Sequence, residues 1–293
     1  MNRYVLGAAS LTLAAFGCEL SQSGIFPSDA GPDGFADAAA GDDASDDDAT
    51  SEDDASDAAL DGGTEASCVQ GTGGPKLVPA ADYCIDSTEV TKANYVAFLG
   101  ALGDGGTDAG LVTSPECSYK KTSADLVPGS WDPSTNLQRP VTKVDWCDAT
   151  LFCTWAGKRL CGKRGGGSLD WIEKPNEVTK QQWYAACSAE GLRTYAYGAI
   201  WTPAKCRSDN GNQKATDVAT YPSCVGGYSG LFDMTGNVAE WIDQCNGTAK
   251  NSACKSQGGD YGSNDNGSKC DSTQDRSRDD ANNDWIGFRC CSK

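Results

Sequence analysis

The chain of 293 residues contains no histidine. That absence excludes catalytic sites that need an imidazole base, such as Ser-His-Asp and Cys-His sites, and it excludes histidine-ligated zinc and non-haem iron. Any chemistry therefore has to use cysteine, carboxylate, lysine or tyrosine side chains, or a metal held by oxygen or sulfur.

The chain also lacks an apolar run long enough to span a membrane as a permanent helix; the N-terminal run ends at Phe16. It follows Arg3 and precedes Gly17 and Cys18, a pattern typical of an export signal. A small residue before a cysteine indicates a bacterial lipoprotein signal over residues 1–18, with the lipid on Cys18, although Ala15 stands where leucine is usual. An ordinary secretory signal is the alternative. We therefore expect an exported, membrane-anchored protein of the cell envelope, periplasmic or on the outer surface.

Residues 19–67 lack lysine and arginine but hold 15 aspartates and glutamates. Such a segment cannot bury enough apolar surface to fold, so it predicts a disordered acidic tether. Calcium binding by its aspartates is the alternative, but no loop there fixes ligand geometry. Residues 68–293 keep 26 acidic and 23 basic residues, a net charge near −3, which does not favour a nucleic-acid-binding surface.

The cysteine count is odd, at 15. With Cys18 as a lipid acceptor, 14 remain, all between Cys68 and Cys291, enough for seven disulfides. An exported chain of this density predicts a disulfide framework formed in an oxidising compartment.

Three helices are predicted in 68–293. Thr91 caps the first, over 92–102; the second begins at Asp145 and ends at Gly157; the third opens with a capping-box pattern at 179–182 and ends before Gly191. The remainder is rich in glycine, asparagine, serine and proline, which indicates short strands and long loops held by disulfides.

Four separated pieces of this region resemble, in order, the formylglycine-generating enzyme (sulfatase-modifying factor) family. They are YCIDSTEVT at 83–91, PVTKVDW at 140–146 with WAGKRL at 155–160, TKQQWYAAC at 179–187, and GLFDMTGNVAEW at 230–241 followed by Gly258-Gly259 and IGFRC at 286–290. The resemblance implies an α+β, C-type-lectin-like fold over 68–293, low in regular secondary structure.

The resemblance also implies two disulfides, Cys153 with Cys290 and Cys187 with Cys270. If Cys290 and its neighbour Cys291 lie in a strand, they point to opposite faces and need different partners. Proximity alone suggests three further pairs: Cys68 with Cys84, Cys206 with Cys224, and Cys245 with Cys254.

Enzymes of the family oxidise a substrate cysteine to formylglycine and bind copper(I) through two thiolates, which are ligands that soft metals prefer. The two cysteines shortly follow a Gly-Gly-Ser that matches 258–260 here. Counting forward from Gly258 reaches Ser263 and Ser268, and counting back from Cys270 reaches Asp260 and Asp265. Neither route meets a cysteine, so we do not expect copper or this oxidase activity. A thiol pair of Cys270 with a distant cysteine is the alternative.

The resemblance further implies a calcium site at Thr235, Gly236, Val238 and Glu240, with Asn237 nearby, since oxygen ligands on a tight turn suit Ca²⁺. The alternative is that Asn237 and Glu240 only satisfy local backbone groups. A second family site near 206–217 is not expected, because Arg207 stands where asparagine is usual.

Candidate ligand contacts lie in irregular loops. Trp171 and Trp201 are in such loops, whereas most other tryptophans occupy helix or motif positions. The polar loop 260–284, with Asp260, Asn264 and Asp265, either contacts a ligand or only solvates a loop. The leading hypothesis is a lipid-anchored module that binds a peptide, glycan or protein through loops 199–215 and 260–284. The alternatives are an oxidase of the parent type and a structural envelope protein.

Overall fold

Two four-stranded sheets organise the described residues, 67–103, 114–208 and 214–292, of the computed structural model. The predicted signal, Cys18 and almost all of the acidic segment lie outside these residues. The strands are β1 Leu77–Ala80, β2 Tyr83–Asp86, β3 Arg159–Leu160, β4 Ala239–Cys245, β5 Ala253–Gln257, β6 Thr273–Ser277, β7 Ile286–Phe288 and β8 Cys290–Cys291.

The first sheet has the order β1-β2-β8-β3 and is antiparallel throughout. The second has the order β6-β5-β4-β7, in which β4 pairs with β7 in parallel, with Trp241 opposite Phe288. Because β7 and β8 are separated only by Arg289, the C-terminal segment contributes a strand to each sheet.

Three α-helices are present in the described ranges: α1 Lys92–Leu102, α2 Trp146–Trp155 and α3 Gln182–Ser188. Reciprocal side-chain caps start the first two, since Thr91 accepts the N–H of Asn94 at 3.2 Å and Asp145 accepts that of Asp148 at 2.9 Å. The predicted bounds of the first helix agree with the structure, whereas the second begins one residue after Asp145, which caps it, and ends two residues before Gly157. Three short 3₁₀-helices cover Pro115–Cys117, Ser123–Leu126 and Asn266–Ser268.

The predicted capping box of the third helix is wrong. The helix begins at Gln182, and the residue before it makes no side-chain cap. The N–H of Gln182 donates instead to the carbonyl of Gly162 at 3.0 Å, while the N–H of Gln181 donates to the carbonyl of Glu177 at 2.9 Å. A bond to the distant Gly162 and a local bond to Glu177 thus satisfy groups for which the pattern predicts a side-chain cap.

Aromatic side chains form the core between α1, α2 and the second sheet. Phe98 of α1 and Phe288 of β7 both pack edge-on against Phe152 of α2, with ring centroids 5.5 and 5.4 Å apart. A second buried cluster surrounds Trp183 of α3 and includes Met234 and Ile242. The predicted α+β architecture with little regular structure is confirmed. Within the described ranges, every helix is too short or too polar to cross a membrane.

All 14 cysteines from Cys68 to Cys291 form disulfides. The pairs implied by the family resemblance and those suggested by proximity are all present, and Cys290 and Cys291 have different partners. The full set is Cys68–Cys84, Cys117–Cys147, Cys153–Cys290, Cys161–Cys291, Cys187–Cys270, Cys206–Cys224 and Cys245–Cys254. Sequence reasoning left Cys117–Cys147 and Cys161–Cys291 unassigned.

Two disulfides close nearly the same long loop, because Cys153–Cys290 spans 137 residues and Cys161–Cys291 spans 130. Replacing either pair by alanine leaves the other in place, so we expect a loss of about 2.5 kcal/mol in the free energy of unfolding, as for a loop of about ten residues. Replacing both should cost about 7 kcal/mol, more than the sum of the single losses. Denaturant titration of the two variants and their combination measures this, and strictly additive losses would contradict the redundancy.

Candidate ligand-binding site

A tight turn of two glycines positions the loop that follows β5. Gly258 and Gly259 have φ of +93° and +69°, which glycine adopts without strain. A side chain at Gly258 would lie 2.8 Å from the ring of Trp183, and one at Gly259 would lie 2.4 Å from the carbonyl oxygen of Gly267. The turn therefore presses the loop against α3, the helix that carries Cys187.

The loop from Asp260 to Ser268 is closed by its own hydrogen bonds. The N–H of Asp260 donates to Ser263 Oγ at 2.9 Å, and its carboxylate accepts the N–H of Gly262 at 2.7 Å. Burial raises the pKa of the Asp260 carboxyl group. The Asn264 side chain accepts the N–H of Gly267 at 3.2 Å, so it also serves the loop.

The two serines reached by counting from Gly258 take structural roles. Ser268 is fully buried, and its Oγ donates to the carbonyl of Ser263 at 3.2 Å. Cys270 is also fully buried and is bonded to Cys187. Since every cysteine of the described residues is in a disulfide, they offer no thiolate for copper(I), and the site does not fit that metal.

An aromatic cluster lies against this loop and comprises Tyr195, Tyr197 and Trp201. The Tyr195 ring stacks on Tyr197 with centroids 5.6 Å apart and planes at 10°, and it lies 5.3 Å from Trp201. The hydroxyl of Tyr195 donates to Asp265 Oδ1, which ties the cluster to the loop. Burial, followed by this bond, raises the pKa of Tyr195 above its ordinary value.

The structure thus brings two of the predicted contact residues, Trp201 and Asp265, together through Tyr195. Sequence reasoning missed both tyrosines, although the Tyr-x-Tyr spacing at 195–197, just before Trp201, was available as a signal. Trp171 belongs elsewhere: it lines a different cleft, with Trp146 and Asp243, and Lys255 Nζ lies 4.1 Å from its ring centroid.

The side chains of the predicted calcium turn already have protein partners. Thr235 Oγ1 accepts the N–H of Ala196 at 3.0 Å, and Asn237 Oδ1 accepts that of Thr216 at 2.9 Å. The Asn237 amide also donates to Glu89 Oε1 at 3.0 Å. Asn237 therefore joins the turn to two distant segments, at Thr216 and Glu89, and these contacts are not to local backbone groups.

Two residues, Arg289 and Trp183, donate hydrogen bonds to the Glu240 carboxylate. It accepts two N–H bonds from Arg289, at 2.7 Å on each oxygen, and a third from Trp183 Nε1 at 2.7 Å, and both charged residues are fully buried. A calcium ion on the remaining lone-pair site of Glu240 Oε1 would lie beside the positively charged guanidinium of Arg289, so this carboxylate is a poor ligand for Ca²⁺. In the described ranges no group of three or more cysteine, aspartate or glutamate side chains is placed to hold a metal. Part of the second family site, residues 209–213, lies outside those ranges.

Acidic groups are in excess beside Arg289. Glu89 and Asp233 are both buried, and Glu89 Oε2 has no hydrogen-bond partner. Burial, and then the charge of Asp233, raises the pKa of Glu89 well above that of an ordinary carboxyl group. Burial likewise raises the pKa of Asp233 to about 6. The folded domain therefore favours protonated forms of these acids.

A raised carboxyl pKa contributes stability that is complete below the ordinary pKa and is lost as the pH rises toward the raised value. Glu89→Gln imitates the protonated form, so it should raise the melting temperature at about pH 8 by several degrees and change it little at about pH 4. Thermal unfolding at both pH values measures this. Asp271→Asn, at an exposed carboxylate, is the matched control, and an equal effect of Glu89→Gln at both pH values would contradict the assignment.

Comparison with known proteins places the chain among relatives. The sulfatase-modifying factor enzyme 1-like domain matches residues 52–293. The formylglycine-generating enzyme of Streptomyces coelicolor is 29% identical over 196 residues, which cover 54% of this chain and 56% of that protein. The inactive C-alpha-formylglycine-generating enzyme 2 of Bos taurus is 30% identical over 115 residues, 36% of this chain and 33% of that protein.

Among solved structures, PvdO from Pseudomonas aeruginosa is similar with 20% identity and a TM-score of 0.47, over 71% of this chain and 79% of that one. The chain spans 56% or less of the length of these two curated relatives. Because the family match covers most of the sequence, the chain belongs to the sulfatase-modifying factor enzyme 1-like domain family.

Proposed function

We propose that this member of the family is a binding module and not a formylglycine-generating oxidase. The observation that carries the proposal is the disulfide bonding of all 14 cysteines from Cys68 to Cys291, Cys270 included. A disulfide sulfur is neither a thiolate ligand for copper(I) nor a nucleophile. The name of the bovine relative supports the proposal, since it describes that protein as inactive.

The binding surface that we propose is the aromatic cluster together with the loop from Asp260 to Ser268. Tyr197 and Trp201 are partly exposed and offer apolar faces with a polar edge, a combination common at recognition sites, while Tyr195 is buried and packs against both. The ligand classes that suit such a surface are a peptide, a glycan or a partner protein. Reversible contacts to a ligand require no thiol.

We further propose that the module works at the cell envelope, attached through a lipid on Cys18 and the acidic segment. Seven disulfides in one domain are typical of proteins that fold in oxidising compartments. Intact mass of the protein extracted from membranes, with Cys18→Ser as the control, tests the anchor; identical masses apart from the substitution would overturn it.

Thiol titration separates binding from oxidase function. Alkylation of the unreduced protein under denaturing conditions, followed by intact mass, should add no label between residues 68 and 291. Incubation with copper, oxygen and a cysteine peptide of the sulfatase-motif type should leave the mass of the peptide unchanged. Labelling of Cys270 together with a change in peptide mass would establish the oxidase instead.

Trp201→Ala tests the binding surface. With the fluorescently labelled protein on peptide and glycan arrays, we expect the variant to bind the wild-type hits at least tenfold more weakly, since a buried aromatic contact is worth about 1–3 kcal/mol. Trp201 is half-buried, so circular dichroism and the melting temperature verify that the variant folds. Ile172→Ala, at a side chain that is 90% exposed, is the control and should bind as wild type. Undiminished binding by Trp201→Ala would place the ligand elsewhere.

A further inference from the structure

A second cleft adjoins the aromatic cluster through Tyr197, which contributes to both. It has a volume of about 340 Å³, and its lining includes Arg193, Lys205, Ser223, Tyr228 and Ser229. Tyr197 therefore joins the surface proposed for ligand binding to a cleft of different chemistry.

The lining of this cleft contains two cationic side chains and no carboxylate. An acidic group on that side is Glu190. Its carboxylate accepts a hydrogen bond from the Tyr228 hydroxyl at 2.7 Å and forms a salt bridge with Arg164 at 2.6 Å, so its charge is largely compensated. On the other side, Asp265 lies beyond Tyr195. Burial is the main cause that raises the pKa of Tyr197; the hydrogen bond from the N–H of Thr202 lowers it, and the charge of Asp265 raises it further. Because the domain has a net negative charge, a cleft with uncompensated cations is a local exception that favours anionic ligands.

The guanidinium of Arg193 is held in place before any ligand arrives. Its Nη1 donates to the carbonyls of Ala196 and Gly226, both at 3.0 Å. Within the described residues, the N–H donors on Nε and Nη2 have no protein acceptor. These two nitrogens form the edge of the guanidinium that binds two oxygens of a carboxylate or phosphate at once. Because the guanidinium is already fixed, less side-chain conformational entropy is lost when a ligand binds.

Lys205 supplies a second positive charge across the cleft. Its Nζ lies 5.7 Å from the ring centroid of Tyr197, and its side chain is exposed. Ser223 Oγ donates to the carbonyl of Lys205 at 2.8 Å, which fixes the backbone from which the side chain extends. An exposed ammonium in the same cleft as a fixed guanidinium suits an anionic group that enters from solvent.

We infer that this cleft binds an oxyanion group, a carboxylate or a phosphate, of the ligand whose apolar part lies on Tyr197 and Trp201. The inference rests on the proposed function and narrows it to acidic or phosphorylated ligands. Neutral glycans and basic peptides would lack the group that Arg193 and Lys205 recognise.

The test uses the full chain with two soluble probes, inorganic phosphate and succinate, and follows binding by calorimetry and by the melting temperature. We expect Lys205→Gln to weaken binding of the preferred probe about five- to tenfold, and Arg193→Gln to weaken it more, since charge-assisted bonds are the stronger ones. Lys174→Gln, at another exposed lysine, should bind as wild type. Raised ionic strength should weaken binding to the wild type and less to Lys205→Gln.

The comparison of probes distinguishes the sources of the oxyanion, since phosphate alone indicates a phosphorylated ligand and succinate alone a carboxylate. Arg193→Gln also removes two contacts to backbone carbonyls, so Lys205→Gln, whose side chain is exposed, keeps the test valid if the first variant fails to fold. The inference would be overturned if the wild type binds neither probe, or if wild type and Lys205→Gln bind each probe equally well. If the array hits still depend on Trp201 in that case, the proposed function stands and only the oxyanion cleft is wrong.

Discussion

The buried ion pair between Arg289 and Glu240 is the contact on which the fold depends. The guanidinium donates to Glu240 of β4, to the carbonyl of Asp86 at the end of β2 at 3.0 Å, and to the carbonyl of Phe232 at 2.9 Å. It therefore joins both sheets to the turn that precedes β4. Removing one partner of such a pair leaves an uncompensated charge in the interior, at a cost of about 3–5 kcal/mol. The need to keep both charges paired explains why β4, which carries Glu240, and the C-terminal segment, which carries Arg289, are both needed for the fold.

The same pair limits the metal chemistry of the turn. Three N–H bonds from Arg289 and Trp183 leave the Glu240 carboxylate about one lone-pair site, on Oε1, and that site lies beside the positively charged guanidinium. The other acids around the arginine, Glu89 and Asp233, respond by holding protons more tightly. Burial disfavours the charged form of both acids, and one arginine does not offset this for all of the carboxylates near it, so both pKa values are raised.

The sequence predicted well those features that depend on nearby residues. Thr91 and Asp145 start helices because their caps are local, and a third cap at 179–182 failed because Gln182 bonds to Gly162 across the fold. The disulfide between Cys161 and Cys291 could not be assigned, because spacing alone does not show that β3 and β8 are adjacent. The candidate site was predicted only in part, because spacing alone does not show which loop residues are adjacent in the fold. Asp265 and Trp201 were recognisable as loop residues, but only the three-dimensional contact of Tyr195 with both makes them one surface.

The loop after Gly258 is held in place by contacts that differ from copper-binding thiolates. Its backbone is fixed by two glycines and by the disulfide of Cys270, and it stays folded through bonds among Asp260, Ser263 and Ser268. Serine and aspartate side chains at these positions keep the loop closed but cannot hold copper(I) or exchange electrons with a substrate. The loop lies beside the partly buried rings of Tyr197 and Trp201, and its internal bonds fix its backbone. The described loop is therefore held by hydrogen bonds and a disulfide at the positions where two copper-binding thiolates would be expected from the family resemblance.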